Sequence, residues 1–377
     1  MKKCIALLVA VLLLLTGCAG SVEETVPTTT AAPTTLPTET TVPAKTRDQM
    51  VIYISLPSEA DPKWSAAGAA LQQQLEELTY QVILEYAAGD AWEQSQQLMA
   101  ALEQGVDCAI VAAVDAAALM DAAFLAEELQ IPIISYDRLL MDTNATKFYV
   151  SYDYTAMGVA LGRHIAGEKG LDALTEGQSV TIEFFMGSPE DTSALLMYQG
   201  IMQVLEPYLE SGVLVSKTGR VAFEDTCVVD WDPEAVKTSL SAYLKESYRR
   251  SMPDVICTVS DDFAAACIQV LEEKKLSPLP LITGIGGTVG IENIRAGKQT
   301  ITLVTDMTLL NGETVTLVDT LLMGEEPVVN NPDGISNNAR EVPAQLCDFA
   351  IYTAENLPEP EPEPTETTAP TETTAPQ

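Results

Sequence analysis

The stretch DCAIVAAVDAAALMDAAFLAEELQIPIISYDRLL, residues 107–140, shows the pattern on which the chain is built. It contains an apolar segment (107–114), an amphipathic segment (118–129) and a second apolar segment (131–136). Short apolar segments on either side of a helical periodicity predict a strand–helix–strand unit. Because these strands are apolar on both sides, they are typical of a parallel sheet covered by helices on both faces.

The same alternation extends in both directions from this stretch. Towards the N-terminus it predicts strands over 50–56 and 80–87 and helices over 63–79 and 92–104. A second series begins after residue 153, with strands expected over 179–187, 212–219, 254–260 and 279–284. Two successive series of this kind predict an α/β chain with two doubly wound parallel-sheet lobes.

The N-terminus carries the features of an export signal. Lys2 and Lys3 precede an apolar run, residues 5–15, which is too short for a comfortable membrane span. The run ends in Leu-Thr-Gly-Cys, which resembles a bacterial lipobox, so we expect residues 1–17 to be a lipoprotein signal peptide and Cys18 to be lipidated. An ordinary signal peptide with a chance cysteine is the alternative. Lipidation at Cys18 would anchor the chain to the outer face of the cytoplasmic membrane without spanning it.

Two segments of biased composition flank the predicted lobes. Residues 18–48 are rich in Thr and Pro, and residues 353–377 form an acidic Pro/Thr tail. Such segments cannot bury enough apolar area to offset the entropy of ordering. We expect the first to be a tether and the second to be disordered.

The charge and the scarcity of metal-binding residues exclude several functions. The chain has 54 acidic residues against 20 Lys and Arg, a net charge of −34, which argues against nucleic-acid binding. A single histidine, His164, and scattered cysteines form no metal motif, so no metal or cofactor is expected. The cysteines in apolar surroundings are expected to be buried free thiols.

Polar residues follow most of the predicted strands. Ligands of open parallel sheets bind beyond the carboxyl ends of the strands, so these residues are candidates for a binding site. They are Lys63, Trp64, Asp115, Asp137, Arg138, Ser193 and Asp261, with Trp231 at the start of a helix. Asp137 and Arg138 could alternatively form a local surface ion pair, and Trp231-Asp232-Pro233 could serve only to start a helix.

Several motifs in this order resemble the sugar-binding proteins of ABC importers. The branch that includes xylose-binding and multiple-sugar-binding proteins, within the type I periplasmic-binding fold, is the most similar. The matching motifs include YDRL (136–139), GSPED (187–191), WDPEAV (231–236) and DVICTVSDD (254–262). The resemblance covers roughly residues 50–350.

The resemblance implies two lobes that close over a sugar about a hinge of crossing strands. It assigns residues 49–153 with 306–339 to the N-terminal lobe and 154–305 with 340–352 to the C-terminal lobe. It also implies sugar contacts for the candidates above and for Tyr154, through charge-assisted hydrogen bonds to hydroxyls and stacking of the ring on tryptophan.

The second lobe departs from the family pattern at several positions. Tyr154 replaces a usual Asn, and Thr192-Ser193 stands at an asparagine-rich site. Ile285-Gly286 replaces a polar pair, and Thr305 replaces a common basic residue. We therefore expect the sugar specificity to differ from that of the family, or to be lost.

The resulting prediction is a monomeric, non-enzymatic, lipid-anchored protein outside the cytoplasm that delivers a sugar to an ABC permease. The alternative is a ligand sensor of the same fold that presents its closed form to a chemoreceptor or sensor kinase. An enzyme is not expected, because no acid/base pair or activated nucleophile is assembled in the sequence. The export signal argues against a transcriptional repressor of this fold.

Overall fold

The computed structural model describes residues 45–175, 177–249 and 251–359. The predicted signal peptide, the lipidation site Cys18, nearly all of the tether and most of the tail lie outside the described residues. In the described part, no helix is long and apolar enough to cross a membrane. The described residues form two sheets, and this confirms the predicted α/β fold class with two doubly wound lobes.

The first lobe contains a seven-stranded sheet in the order β11-β12-β5-β4-β3-β1-β2. The strands are β1 (Val51–Leu56), β2 (Gln81–Tyr86), β3 (Cys108–Val111), β4 (Ile133–Tyr136), β5 (Thr146–Tyr152), β11 (Asn331–Ser336) and β12 (Glu341–Cys347). All neighbours pair in parallel except β11 and β12. The central strands β3 and β4 are buried along their whole length, as their apolar sequence predicts.

The second lobe contains a six-stranded sheet in the order β13-β10-β9-β8-β6-β7. Its strands are β6 (Val180–Phe185), β7 (Leu214–Val215), β8 (Val255–Thr258), β9 (Leu281–Gly286), β10 (Ile301–Thr305) and β13 (Phe349–Thr353). Only β10 and β13 pair in antiparallel fashion.

Ten α-helices cover the two sheets in the described part of the chain. They are α1 (Pro62–Glu77), α2 (Ala91–Glu103), α3 (Met120–Leu129), α4 (Tyr154–Glu168), α5 (Thr192–Glu210), α6 (Phe223–Thr226), α7 (Pro233–Tyr243), α8 (Asp261–Glu273), α9 (Thr288–Arg295) and α10 (Met307–Leu322). Many begin at an aspartate whose side chain accepts a backbone N–H, as at Asp61, Asp90 and Asp191.

The chain passes between the two sheets three times, with an aspartate at each crossing. Asp153 follows β5 and caps α4, and its carboxylate accepts the Ala156 N–H at 2.8 Å. Asp306 follows β10 and caps α10, which packs against α1 of the first lobe. Asp348 separates β12 from β13. Three short connections of this kind form a hinge between the lobes.

The last crossing lies later in the chain than the sequence suggests. Residues 340–352 were expected in the C-terminal lobe, but β12 pairs with β5 in the first sheet. Val342 and Ala344 are fully buried there against Leu139 and Tyr149. Burial of these alternate apolar side chains holds the strand in the first lobe, so the chain crosses at Asp348.

Helices α4 and α5 pack unusually closely in the second lobe. A Cβ atom built on Gly158 would lie 2.1 Å from the carbonyl oxygen of Met197, and one on Gly200 would lie 2.1 Å from that of Thr155. Only glycine permits this approach, which holds the N-termini of both helices, with Tyr154 and Ser193, side by side at the cleft.

Candidate functional site

The candidate residues lie where the carboxyl ends of first-lobe strands face the helix starts of the second lobe. Lys63 and Trp64 belong to the first turn of α1, and Asp137 and Arg138 follow β4 directly. Tyr154 is the first residue of α4.

Asp137 is the most enclosed charged group of the first-lobe wall. Its side chain is 1% exposed and its backbone has φ of 62°, a left-handed conformation that Asp tolerates better than most residues. The carbonyl oxygen of Asp137 accepts the hydroxyls of Tyr149 (2.9 Å) and Ser151 (3.0 Å). These bonds hold the backbone, and therefore the carboxylate, in one place.

The Asp137 carboxylate binds two predicted site residues. Its Oδ2 pairs with Lys63 Nζ at 2.8 Å, and its Oδ1 accepts the Tyr154 hydroxyl at 2.5 Å. Burial acts to raise the pKa of Asp137, but the Lys63 ammonium, the Tyr154 hydroxyl and Arg138 outweigh it and lower that pKa below its usual value. The carboxylate is therefore ionised at neutral pH.

Arg138 connects the two lobes. Its Nη1 donates to the carbonyl oxygen of Ala113 (2.9 Å) in the loop after β3. Its Nη2 lies 2.9 Å from Oδ2 of Asp191, the residue that caps α5 of the second lobe. Among the described residues, the buried Nε of Arg138 has no hydrogen-bond partner.

Trp64 forms an aromatic floor below the two cations. It is 2% exposed. Lys63 Nζ lies 4.5 Å and Arg138 Cζ 5.1 Å from the centroid of its ring. Cation–π attraction holds both cations against this ring.

Asp191 joins three of the predicted residues, although the sequence indicates only a helix cap for it. Its Oδ1 accepts both the backbone N–H (2.9 Å) and the hydroxyl (2.6 Å) of Ser193. Its Oδ2 accepts Trp231 Nε1 at 3.3 Å in addition to Arg138. A capping aspartate and an interlobe ligand have the same local sequence signature, so only the fold reveals the second role.

A second contact between the lobes lies next to this ion pair. The Leu139 N–H donates to Thr192 Oγ1 at 3.1 Å. Arg138 and Leu139 thus contact Asp191 and Thr192 at the start of α5. The two lobes are therefore in contact across the cleft.

Asp261 is surrounded by donors from its own lobe. Its carboxylate accepts the backbone N–H of Gly287 (2.7 Å) and Gly290 (3.2 Å), and the side chains of Gln299 (2.7 Å) and Thr302 (2.8 and 2.9 Å). Burial raises its pKa in spite of these hydrogen bonds, which act to lower it.

The glycine-rich segment 284–290 serves this carboxylate. Cβ atoms added at Gly284, Gly286 and Gly290 would lie 2.2–2.8 Å from Asp261 side-chain oxygens. The three glycines therefore let the β9–α9 connection wrap around Asp261.

The remaining candidates differ in their surroundings. Asp115 accepts only the N–H of Ala117, at 2.8 Å, within its own loop. Trp231 has φ of 53° and packs its ring over Gly187 and near Phe263. The structure thus joins six candidates around Asp137 and Asp191 and leaves Asp115 and Asp261 outside this network.

This arrangement can bind polar ligands. Among the described residues there is no cluster of three or more His, Cys, Asp or Glu able to hold a metal ion. What the network offers is charged hydrogen-bonding groups beside an aromatic ring, in a cleft between two lobes. These features define a two-lobed ligand-binding protein.

Sequence comparison identifies the protein family of this chain. A family model described as a periplasmic binding protein domain matches residues 52–326, and the chain belongs to this family. Membership confirms the resemblance inferred from the motifs and the extracytoplasmic class of protein. The relatives are described as sugar-binding receptors and binding proteins, in agreement with the expectation of a non-enzymatic protein.

Similar proteins cover almost the whole body of the chain. The multiple sugar-binding periplasmic receptor ChvE of Rhizobium radiobacter is 28% identical over 329 residues, which is 86% of this chain and 92% of that protein. The D-xylose-binding periplasmic protein of Escherichia coli is 27% identical, covering 75% of this chain and 81% of its own length.

A solved structure agrees with the sequence relatives. An ABC transporter solute-binding protein from Clostridium phytofermentans with bound β-D-glucose superposes with a TM-score of 0.76 and 28% identity, over 81% of this chain and 94% of that chain. A Caulobacter myo-inositol-binding protein, at 21% identity and a TM-score of 0.64, shares the fold.

Proposed function

We propose that this protein is a lipid-anchored, extracytoplasmic solute-binding protein that closes its lobes over a sugar and delivers it to an ABC permease. The observation that carries the proposal is the position of the Asp137 and Arg138 side chains, side by side at the end of β4 and aimed at the opposite lobe.

The chemistry of the cleft suits a pyranose. Hydroxyl groups are neutral donors and acceptors, and they bind strongly to ionised carboxylates and guanidinium groups. The Asp137 carboxylate and the Arg138 guanidinium are groups of this kind where the two lobes meet. The half-buried ring of Trp231 can pack against the C–H face of a sugar, whereas the buried ring of Trp64 supports Lys63 and Arg138. Relatives and a solved structure with bound glucose, both at 28% identity, support a sugar as the ligand.

The proposed contact residues follow from their places around the cleft. The first lobe provides Lys63, Trp64, Asp137 and Arg138, with Asp115 at the edge of the wall. The second provides Tyr154, Ser193, Trp231 and, through the loop that it holds, Asp261.

A thermal-shift screen tests the sugar assignment. D-glucose, D-galactose, D-xylose and myo-inositol are each added to the purified protein, because a ligand that binds only the folded state raises its midpoint. We expect at least one to raise the midpoint by several degrees at millimolar concentration. Failure of an extended panel of monosaccharides and short oligosaccharides would exclude a sugar-binding role.

A test of the anchor is independent of the ligand. Replacing Cys18 by serine should release the protein from membranes of the expressing bacterium and remove the lipid mass from its N-terminus. Membrane attachment that survives C18S would show that Cys18 is not the lipidation site.

A sensory role uses the same site and differs in its partner. The relative from Rhizobium radiobacter is described as a receptor. Loss of sugar uptake on deletion of the gene supports transport, whereas intact uptake with a lost transcriptional or chemotactic response to the sugar supports sensing.

A further inference from the structure

We infer that Asp191 sets the charge of the ligand: it makes the closed cleft select neutral sugars and reject sugars that carry a carboxylate. This inference rests on the proposed sugar-binding function. Its structural basis is the ion pair between Arg138 of the first lobe and Asp191 of the second.

Both cations at the cleft are already neutralised by carboxylates of the protein. Lys63 pairs with Asp137 at 2.8 Å within the first lobe. Arg138 pairs with Asp191 at 2.9 Å, and this carboxylate comes from the second lobe. The side chains of Asp137 and Asp191 are only 1% and 5% exposed, so solvent screens their charges weakly.

Asp191 cannot turn away to make room for another anion without loss of several bonds. Ser193 donates twice to its Oδ1, and Trp231 donates to its Oδ2. A ligand carboxylate directed at Arg138 would therefore meet a fixed carboxylate of the same charge. Like charges placed together at such an interface are strongly unfavourable.

The selection against anionic sugars takes place when the lobes close, and not when the sugar first binds to the open form. In an open form the Arg138 guanidinium would be free of Asp191, because the two residues belong to different lobes. An anionic sugar could then contact Arg138, but the approach of α5 would bring Asp191 into the same space. A neutral sugar adds no charge beside the Arg138–Asp191 pair and leaves it intact.

The test compares D-glucose with D-glucuronate, which differ in the carboxylate at C6. Calorimetric titrations are made with the wild type, Asp191→Ala and Asp191→Asn. Glu190→Gln is the matched control, since it removes one negative charge from the exposed neighbouring residue. Circular dichroism and the thermal midpoint of each variant establish that it is folded.

We expect the wild type and E190Q to bind D-glucose at least about 100-fold more tightly than D-glucuronate, the ratio that a few kcal/mol gives. The alanine variant leaves Arg138 without its carboxylate and leaves space beside it. It should bind D-glucuronate at least tenfold more tightly than the wild type does. D191N should move in the same direction by a smaller factor.

Three results would overturn the inference. The first is binding of D-glucuronate by the wild type within about tenfold of D-glucose, which requires no variant to fold. The second is a folded D191A that gains no affinity for D-glucuronate, and the third is a gain in E190Q as large as that in D191A. If the wild type binds no neutral sugar, the proposed function fails, but a gain of D-glucuronate binding in D191A would still support the role of Asp191.

Discussion

Two buried aspartates, Asp137 in the first lobe and Asp261 in the second, follow strands in similar ways but have different surroundings. Asp137 accepts bonds from two side chains that themselves line the cleft, Lys63 and Tyr154. Among the described residues, the Asp261 carboxylate accepts bonds only from its own lobe, from groups between Gly287 and Thr302. A carboxylate at a strand end can thus belong to a binding site or can stabilise the lobe itself. The location of the groups that donate to it distinguishes these two roles.

The opposite pKa directions of the two groups reflect this difference. The Lys63 ammonium lowers the pKa of Asp137, whereas burial raises the pKa of Asp261, to which no cation of the described residues is bonded. Substitutions and pH can therefore test the contrast separately for each lobe.

The largest effect is expected for Asp137→Ala. The change leaves the buried Tyr154 hydroxyl without an acceptor and frees Lys63, which should lower the free energy of unfolding by about 2–3 kcal/mol. Sugar affinity should fall by at least about 100-fold. Urea unfolding and calorimetry measure the two effects, with Asp121→Ala, an exposed aspartate of the same lobe, as the control. Equal sugar affinity in D137A and wild type would contradict the ligand role.

The pH dependence of stability should change sign between the two aspartates. The lowered pKa of Asp137 gives a stabilising term that is present above its unfolded value, near 3.8, and is lost as pH falls through the lower folded value. The difference in unfolding free energy between wild type and Asp137→Asn should therefore shrink below about pH 3.8.

For Asp261 the corresponding difference should grow as the solution becomes more acidic. Its folded pKa lies above 3.8, so the folded state binds the proton more readily than the unfolded state. We expect Asp261→Asn to cost about 2 kcal/mol at pH 7, with a gap to wild type that widens as pH falls towards 3.8. Urea unfolding at several pH values measures these differences for both variants. The same pH dependence for D137N and D261N would contradict the opposite pKa shifts of the two aspartates.

A smaller effect is expected for Tyr154→Phe. The substitution removes one hydroxyl that donates to an ionised carboxylate at 2.5 Å and keeps the ring. A bond of this kind contributes about 1.5–3 kcal/mol, and the lower end of this range corresponds to a fall of about tenfold in sugar affinity, which we expect here. Tyr208→Phe removes an exposed tyrosine–aspartate bond and is the matched control. An unchanged affinity in Y154F would place the hydroxyl outside the site.

The smallest effect is expected for Trp231→Phe. The 3.3 Å bond from Nε1 to Asp191 is long, and its loss should cost about 0.5–1 kcal/mol, or a few-fold in affinity. Stacking of a sugar on the ring would be largely preserved. A loss greater than about 30-fold, measured by calorimetry, would show that Trp231 holds the ligand by more than stacking.

The sequence predicts most of the fold because its strands are short, apolar and separated by amphipathic helices. It also predicts Asp137 and Arg138, since both directly follow a strand of the parallel sheet. Two features needed the structure. β12 belongs to the first lobe because of burial against Tyr149, a partner far away in the sequence.

The role of Asp261 was equally hidden. Its donors Gln299 and Thr302 lie about forty residues away along the chain, and the glycines of 284–290 have no sequence motif that points to a buried carboxylate. Asp191 is not among the candidate residues, because an aspartate before a helix has the sequence signature of a cap and its bond from Arg138 joins two different lobes.

The most direct test of the binding site is a calorimetric titration of the wild type and D137A with the sugar that raises the thermal midpoint most. We expect saturable binding to the wild type at a ratio of one sugar per chain and at least about 100-fold weaker binding to D137A. Absence of binding to the wild type, or equal binding by the two proteins, would contradict it.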